Sequence, residues 1–147
     1  MRGRIPIFTM LFGGGRKAER TVTSVEVMTL TLRGMRGSSV YKLEGDTAEL
    51  RRYREVYSGG ETRLVLEGSV PCGRQTMTRL MNTCGIVRWD GFHGKHPRNV
   101  HDGIMFTFTA TVNGGQTITA DGSANFPKGY REFVRTLDIM LAENKND

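Results

Sequence analysis

Hydrophobic and polar positions alternate most strictly along residues 104–112, where apolar side chains are separated by threonines and a methionine. A period of two is typical of a β-strand with one buried face and one wetter face. Asn113-Gly114 follows and predicts a hairpin, because both positions of such a turn take positive φ. The partner strand is then residues 116–124, in which Gly122 is a candidate β-bulge. The predicted buried face carries Ile104, Phe106, Phe108, Ala110 and Val112.

Upstream of this hairpin, short stretches rich in Val, Thr and Leu are separated by glycine-containing turns. This pattern favours an antiparallel meander of four strands with short connections. The strands are predicted within residues 21–34, 40–45, 46–57 and 62–70. In the last of them, Leu64, Leu66 and Val70 are expected to share one face, and Arg63, Glu67 and Ser69 the other.

The period then changes from two to about 3.6 residues, which indicates helices. Met77, Leu80, Met81 and Cys84 form one stripe, and Gly85 stands where a C-cap glycine belongs. Pro127 suits the first turn of a closing helix, whose apolar stripe would be Tyr130, Phe133, Val134, Leu137, Met140 and Leu141. The sequence therefore predicts a single α+β domain over 21–147, with an antiparallel sheet of about six strands and two helices packed on one face.

The net charge of +6 is concentrated at the amino terminus. Residues 1–20 hold five basic residues and one acidic residue, a net +4, whereas residues 21–147 hold 16 basic and 14 acidic residues. We interpret residues 1–20 as a basic, flexible arm, with Gly13–Gly15 as a hinge. The chain has no apolar run of about 18 residues, so a membrane span is not expected.

The loop from Trp89 to Gly103 holds all three histidines, His93, His96 and His101, followed by Asp102. Imidazole and carboxylate are ligands for catalytic zinc, which needs three protein ligands, and histidine titrates near neutral pH. Three readings stay open: a metal site, an acid–base site, and a solvated connection anchored by Trp89. The spacing matches no known ligand motif, so we assign no metal and no cofactor.

Arg51, Arg52 and Arg54 form the densest basic patch inside the domain. A basic and aromatic strand can bind single-stranded nucleic acid through stacking and phosphate contacts. Alternation places Arg52 and Arg54 on one face, and Arg51 with Tyr53 on the other. Because no nucleic-acid-binding motif accompanies the patch, a charged edge or solvent face is the favoured interpretation.

Cys72 and Cys84 flank the first predicted helix. At ~1.5 Å rise per residue, their separation is about 18 Å, too far for a disulfide. This agrees with a reducing compartment and a cytoplasmic location. Cys72 precedes the helix amino terminus, where a thiol pKa is lowered, and is the better nucleophile candidate of the two.

The carboxyl-terminal part of the chain combines several spaced features: Trp89, Asp102-Gly103 before a strand, Gly114 in a hairpin, Gly122, Pro127 and a terminal amphipathic helix. In these features, residues 86–143 resemble a group of small, uncharacterised bacterial α+β proteins, some of them lipoprotein-like. The resemblance supports the fold and implies no activity. This chain lacks a lipobox-like cysteine after its amino-terminal apolar run.

The leading hypothesis from sequence is a non-enzymatic binding or protein-interaction module with an unknown protein or small-ligand partner. The first alternative is a small enzyme or metal-binding protein that uses His93, His96, His101 and Asp102. The second is nucleic-acid binding through the basic arm and Arg51–Arg54, which is possible but not favoured. The predicted binding residues are Trp89, His93, His96, His101, Asp102, Arg51, Arg52 and Arg54.

Overall fold

The computed structural model describes residues 20–44 and 48–145, so all but one residue of the predicted arm, residues 1–20, lies outside the described residues. The described residues form a mixed α+β fold, as predicted, with seven strands where about six were expected. The strands are β1 (Val25–Gly34), β2 (Gly37–Glu44), β3 (Glu49–Ser58), β4 (Glu61–Pro71), β5 (His93–Gly94), β6 (Met105–Val112) and β7 (Gln116–Ser123). The helices are α1 (Arg74–Cys84) and α2 (Tyr130–Lys145).

The seven strands lie in one sheet in the order β4-β3-β2-β1-β6-β7-β5. The first four strands form the predicted meander, and every pairing is antiparallel except the one between β5 and β7. The extra strand is β5, whose two residues pair with Asp121 and Gly122. A two-residue strand carries no alternation, which is why the sequence pattern did not predict it.

The centre of the sheet is built by β1 and β6, which are far apart in the chain and antiparallel in the fold. Leu30 pairs with Phe108, and both are fully buried. The predicted inner face of β6 is confirmed from Phe106 to Val112. Ile104 is an exception because it precedes the strand and remains 45% exposed.

Both helices place their apolar stripes against the side of the sheet that carries Phe106 and Phe108. Helix α1 ends at Gly85, which adopts the predicted left-handed conformation with φ of 71°. Helix α2 begins at Tyr130, three residues later than Pro127 suggested, and the Tyr130 N–H donates to the Pro127 carbonyl at 3.2 Å. Neither helix in the described ranges is long and apolar enough to cross a membrane.

The β6–β7 hairpin confirms the turn predicted at Asn113-Gly114, with φ of 54° and 76° at these residues. The Asn113 side chain also accepts a hydrogen bond from the Thr23 N–H at 2.7 Å and donates one to the Thr21 carbonyl at 2.9 Å. It thereby ties the chain that enters β1 to the tip of this hairpin.

The prediction of a bulge at Gly122 is wrong, because the β6–β7 register is continuous. Glycine is required there for a different reason. An added Cβ would overlap the backbone carbonyl oxygen of Asn125 and press against the Phe106 ring. The segment after β7 therefore passes directly over the backbone of this strand.

Register shifts lie instead in β1, where Glu26 is the extra residue opposite β6, and in β4. The register shifts between Arg52 and Tyr53, which pair with Gly68 and Leu66, so that Glu67 is the extra residue. Leu64 and Leu66 consequently lie on the open face of the sheet, whereas Val70 lies on the helix side. The predicted grouping of Leu64, Leu66 and Val70 on one face is wrong, because a bulge inverts the alternation beyond it.

Candidate functional site

The histidine loop is fastened along β7 rather than gathered around one point. His93 lies in β5 opposite Asp121, and its Nδ1 contacts the Asp121 Oδ1. Both side chains are largely exposed, at 80% and 51%. This pair is a solvated contact at the rim of the sheet.

His96 has both ring nitrogens engaged. Its Nε2 contacts the Val100 carbonyl, and its Nδ1 lies 2.7 Å from the Ser123 Oγ. Because a carbonyl can only accept, Nε2 is the donor to Val100, and Nδ1 and the Ser123 hydroxyl form the second hydrogen bond of the ring. His96 therefore closes the loop onto β7.

His101 and Asp102 are exposed and line a shallow cleft of about 370 Å³. His96 and Ser123 share this cleft, whereas His93 does not line it. Within residues 20–44 and 48–145, no group of three His, Cys, Asp or Glu side chains is arranged to hold a metal ion. The loop brings together His96, His101 and Asp102, and leaves His93 with Asp121.

Trp89 is 1% exposed and belongs to the core. Its ring packs edge-on against Phe108 at 5.1 Å and Phe133 at 5.6 Å between centroids. Its Nε1–H donates to the Lys128 carbonyl at 2.9 Å. The tryptophan thus anchors one end of the loop and joins the sheet to α2, with almost no surface open to a ligand.

The arginine patch lies on the two faces that alternation predicted, and acidic side chains surround it. Arg52 contacts Glu67 at 3.6 Å and Asp138 of α2 at 3.2 Å. Arg54 contacts the same Glu67 at 3.5 Å. On the other face, Arg51 Nε donates to Glu49 at 2.7 Å. The positive charge of this patch is therefore largely balanced within the fold.

Cys72 does not have the environment of a nucleophile. Its side chain is buried next to the sheet, and burial raises the pKa of its thiol. Burial also raises the pKa of Cys84 to about 11, with a further contribution from the Glu132 charge. Both cysteines are free, as expected.

A different surface lies at the β4 edge of the sheet, where sequence reasoning placed no site. Three consecutive apolar residues of β4, Leu64, Val65 and Leu66, are 43%, 38% and 52% exposed. Tyr57 on the adjacent β3 is 76% exposed. We call these four residues the β4 edge patch. The uninterrupted run "LVL" was the available signal, since a strand covered on one face alone alternates instead.

The backbone at this edge lies at the outside of the described sheet. Strand β4 has β3 on one side and no strand on the other within the described part of the chain. Gly59-Gly60 closes a two-residue turn with φ of 62° and 85°, so Ser58 and Glu61 form its hydrogen-bonded pair. Alternation then directs the N–H and C=O groups of Thr62, Leu64 and Leu66 away from β3.

No protein-family model, curated protein or solved structure matches this chain. The resemblance of residues 86–143 to small bacterial proteins stays a prediction.

Proposed function

We propose that this protein is a non-enzymatic protein-interaction module that binds a partner by accepting an added β-strand along β4. The observation that carries the proposal is the β4 edge patch: apolar side chains project from both faces of a strand whose outer edge has no neighbouring strand among the described residues. Strand addition uses these two features together, since main-chain bonds supply affinity and side chains supply specificity.

The composition of β4 supports the same proposal. Natural proteins protect edge strands with charges, proline or bulges, because a long apolar edge promotes aggregation. In β4 the bulge at Glu67 and Pro71 protect the carboxyl-terminal part. The part from Thr62 to Leu66 carries one charge, Arg63. An unprotected section of this length is expected where the edge has a partner.

The other two hypotheses receive less support from the described residues. The ring nitrogens of His96 bond to a backbone carbonyl and a serine, which orients the loop. Arg52 and Arg54 face Glu67 and Asp138, which would compete with phosphate for the guanidinium groups. His96 and the two arginines already have partners within the fold, whereas the side chains of the β4 edge patch are exposed.

Photocrosslinking in the cells that naturally make the protein tests the proposal. Tyr57→p-benzoylphenylalanine places a photoreactive aromatic beside β4 while keeping an aromatic side chain. We expect ultraviolet light to produce a discrete protein adduct that Leu64→Thr/Leu66→Thr abolishes. The threonine pair keeps strand propensity and removes apolar surface.

Two matched controls define the result. Val27→Thr/Met105→Thr removes exposed apolar side chains from strands β1 and β6, and should leave the adduct unchanged. The same photoreactive residue at Thr117, on β7 of the open face, should give no adduct. If Tyr57 gives no adduct, or one that is indifferent to Leu64 and Leu66, the proposed function is wrong.

A further inference from the structure

We infer that the strand added to β4 is β4 of a second copy of this chain, paired antiparallel about a two-fold axis at Val65. This inference rests on the proposed function and names its partner. It follows from three independent properties of β4: the direction of its free backbone groups, the placement of its apolar side chains, and the order of its charges.

The backbone groups allow this register. Leu64 and Leu66 direct their N–H and C=O groups outward, and Val65 directs its own toward β3. With Val65 opposite Val65 of the second copy, Leu64 faces Leu66 of that copy as a hydrogen-bonded pair, and the reverse pair forms by symmetry. Both outward leucine positions thus gain main-chain partners in one arrangement.

The side chains complement one another on both faces. On the open face, Leu64 packs beside Leu66 of the second copy, which gives a continuous group of four leucines across the axis. On the helix side, Arg63 stands opposite Glu67 of the second copy. Arg63 makes no ion pair with any residue in the described ranges. The arrangement therefore brings Arg63, twice per dimer, to a Glu67 that also contacts Arg52 and Arg54 of its own chain.

The neighbouring registers lack this match. Centring the axis on Leu64 places Glu61 opposite Glu67 of the second copy, and like charges directly opposite are destabilising. Centring it on Leu66 places Arg63 opposite Ser69, which offers no charge. Of these three registers, the order Glu61, Arg63, Glu67 along the strand therefore favours the one centred on Val65.

A cysteine at the axis tests both the dimer and its register. The Cα atoms of an antiparallel pair that is not hydrogen-bonded lie about 4.5 Å apart, within the range a disulfide accepts. Under mild oxidation, Val65→Cys should form a disulfide-linked dimer at least about tenfold faster than Thr117→Cys, because pairing raises the local thiol concentration. Cys72 and Cys84 are buried and remain in both proteins.

Sedimentation of the unmodified full chain supplies the second measurement. We expect reversible dimerisation that Arg63→Glu weakens about tenfold or more, since it places like charges opposite each other twice. Arg79→Glu changes an exposed arginine of α1 by the same charge and should leave dimerisation unchanged. Circular dichroism melting curves confirm that both variants are folded.

The outcomes separate this inference from the function on which it rests. A monomer at all concentrations, with Val65→Cys crosslinking no faster than Thr117→Cys, overturns the second copy as partner. If Tyr57 then still gives an adduct with a different protein that depends on Leu64 and Leu66, the proposed function stands. If Tyr57 gives no adduct, the function fails as well.

Discussion

Replacing Trp89 with alanine is expected to lower the free energy of unfolding by about 3–5 kcal/mol, as for other fully buried aromatic residues. The indole is 1% exposed and makes edge contacts with Phe108 of the sheet and Phe133 of α2. Alanine would leave a cavity between these two layers and a Lys128 carbonyl without its donor. Urea denaturation followed by far-ultraviolet circular dichroism measures the loss.

Trp89→Phe is the matched control for this prediction. It keeps an aromatic ring in the core and removes the Nε1–H donor, so we expect a smaller loss of roughly 1–3 kcal/mol from the unsatisfied carbonyl and reduced packing. A loss below about 1 kcal/mol for Trp89→Ala would contradict a core role, because such values are typical of surface substitutions. Trp89 would then have to be reconsidered as a binding residue.

Gly129→Ala is expected to cost about 2–5 kcal/mol through backbone strain and a steric clash. Gly129 has φ of 91°, a region that side-chain-bearing residues rarely adopt. An added Cβ would also overlap the carbonyl of Cys84 at the end of α1. Relief of this overlap requires α1 and the start of α2 to move apart, and both belong to the same core.

The control for Gly129 is Gly114→Ala at the tip of the β6–β7 hairpin. Gly114 has φ of 76°, and nothing lies within 4 Å of an added Cβ. Gly114→Ala therefore introduces backbone strain without a steric clash, and we expect it to cost about 1–2 kcal/mol. Thermal unfolding of both variants separates the cost of backbone strain from the cost of the steric clash. Equal losses of stability would show that the close approach of Gly129 to Cys84 does not restrain the helices.

Local signals in the sequence predicted most of the elements. The inner face of β6, the turn at Asn113 and Gly114, and the C-cap at Gly85 each depend on residues within a few positions of one another. Such features are determined by backbone geometry and the period of burial. They are confirmed with boundaries that shift by a few residues, as at the start of α2.

The remaining features depend on which elements become neighbours, and no local pattern carries that information. The pairing of β1 with β6 and the contact between Arg52 and Asp138 join residues that are far apart in sequence. The bulge at Glu67 reversed the faces predicted for β4.

The candidate surface was missed for the same reason. The apolar run that contains Leu64 and Leu66 is typical of a buried strand. The strand order of the folded sheet, which the sequence does not show, places β4 at an edge. The segment that holds the histidines was predicted as one loop, whereas His93 lies in β5. Their partners Asp121 and Ser123 come from β7, which sequence spacing could not indicate.

Residue-resolved amide hydrogen exchange at low and high protein concentration shows whether the outer edge of β4 is paired in solution. If β4 pairs with β4 of a second copy, exchange at Leu64 and Leu66 slows as concentration rises, because their outward N–H groups become bonded. Exchange at Arg63 and Val65, whose N–H groups point toward β3, keeps the same rate. Exchange at Leu64 and Leu66 that is rapid at every concentration would contradict the account.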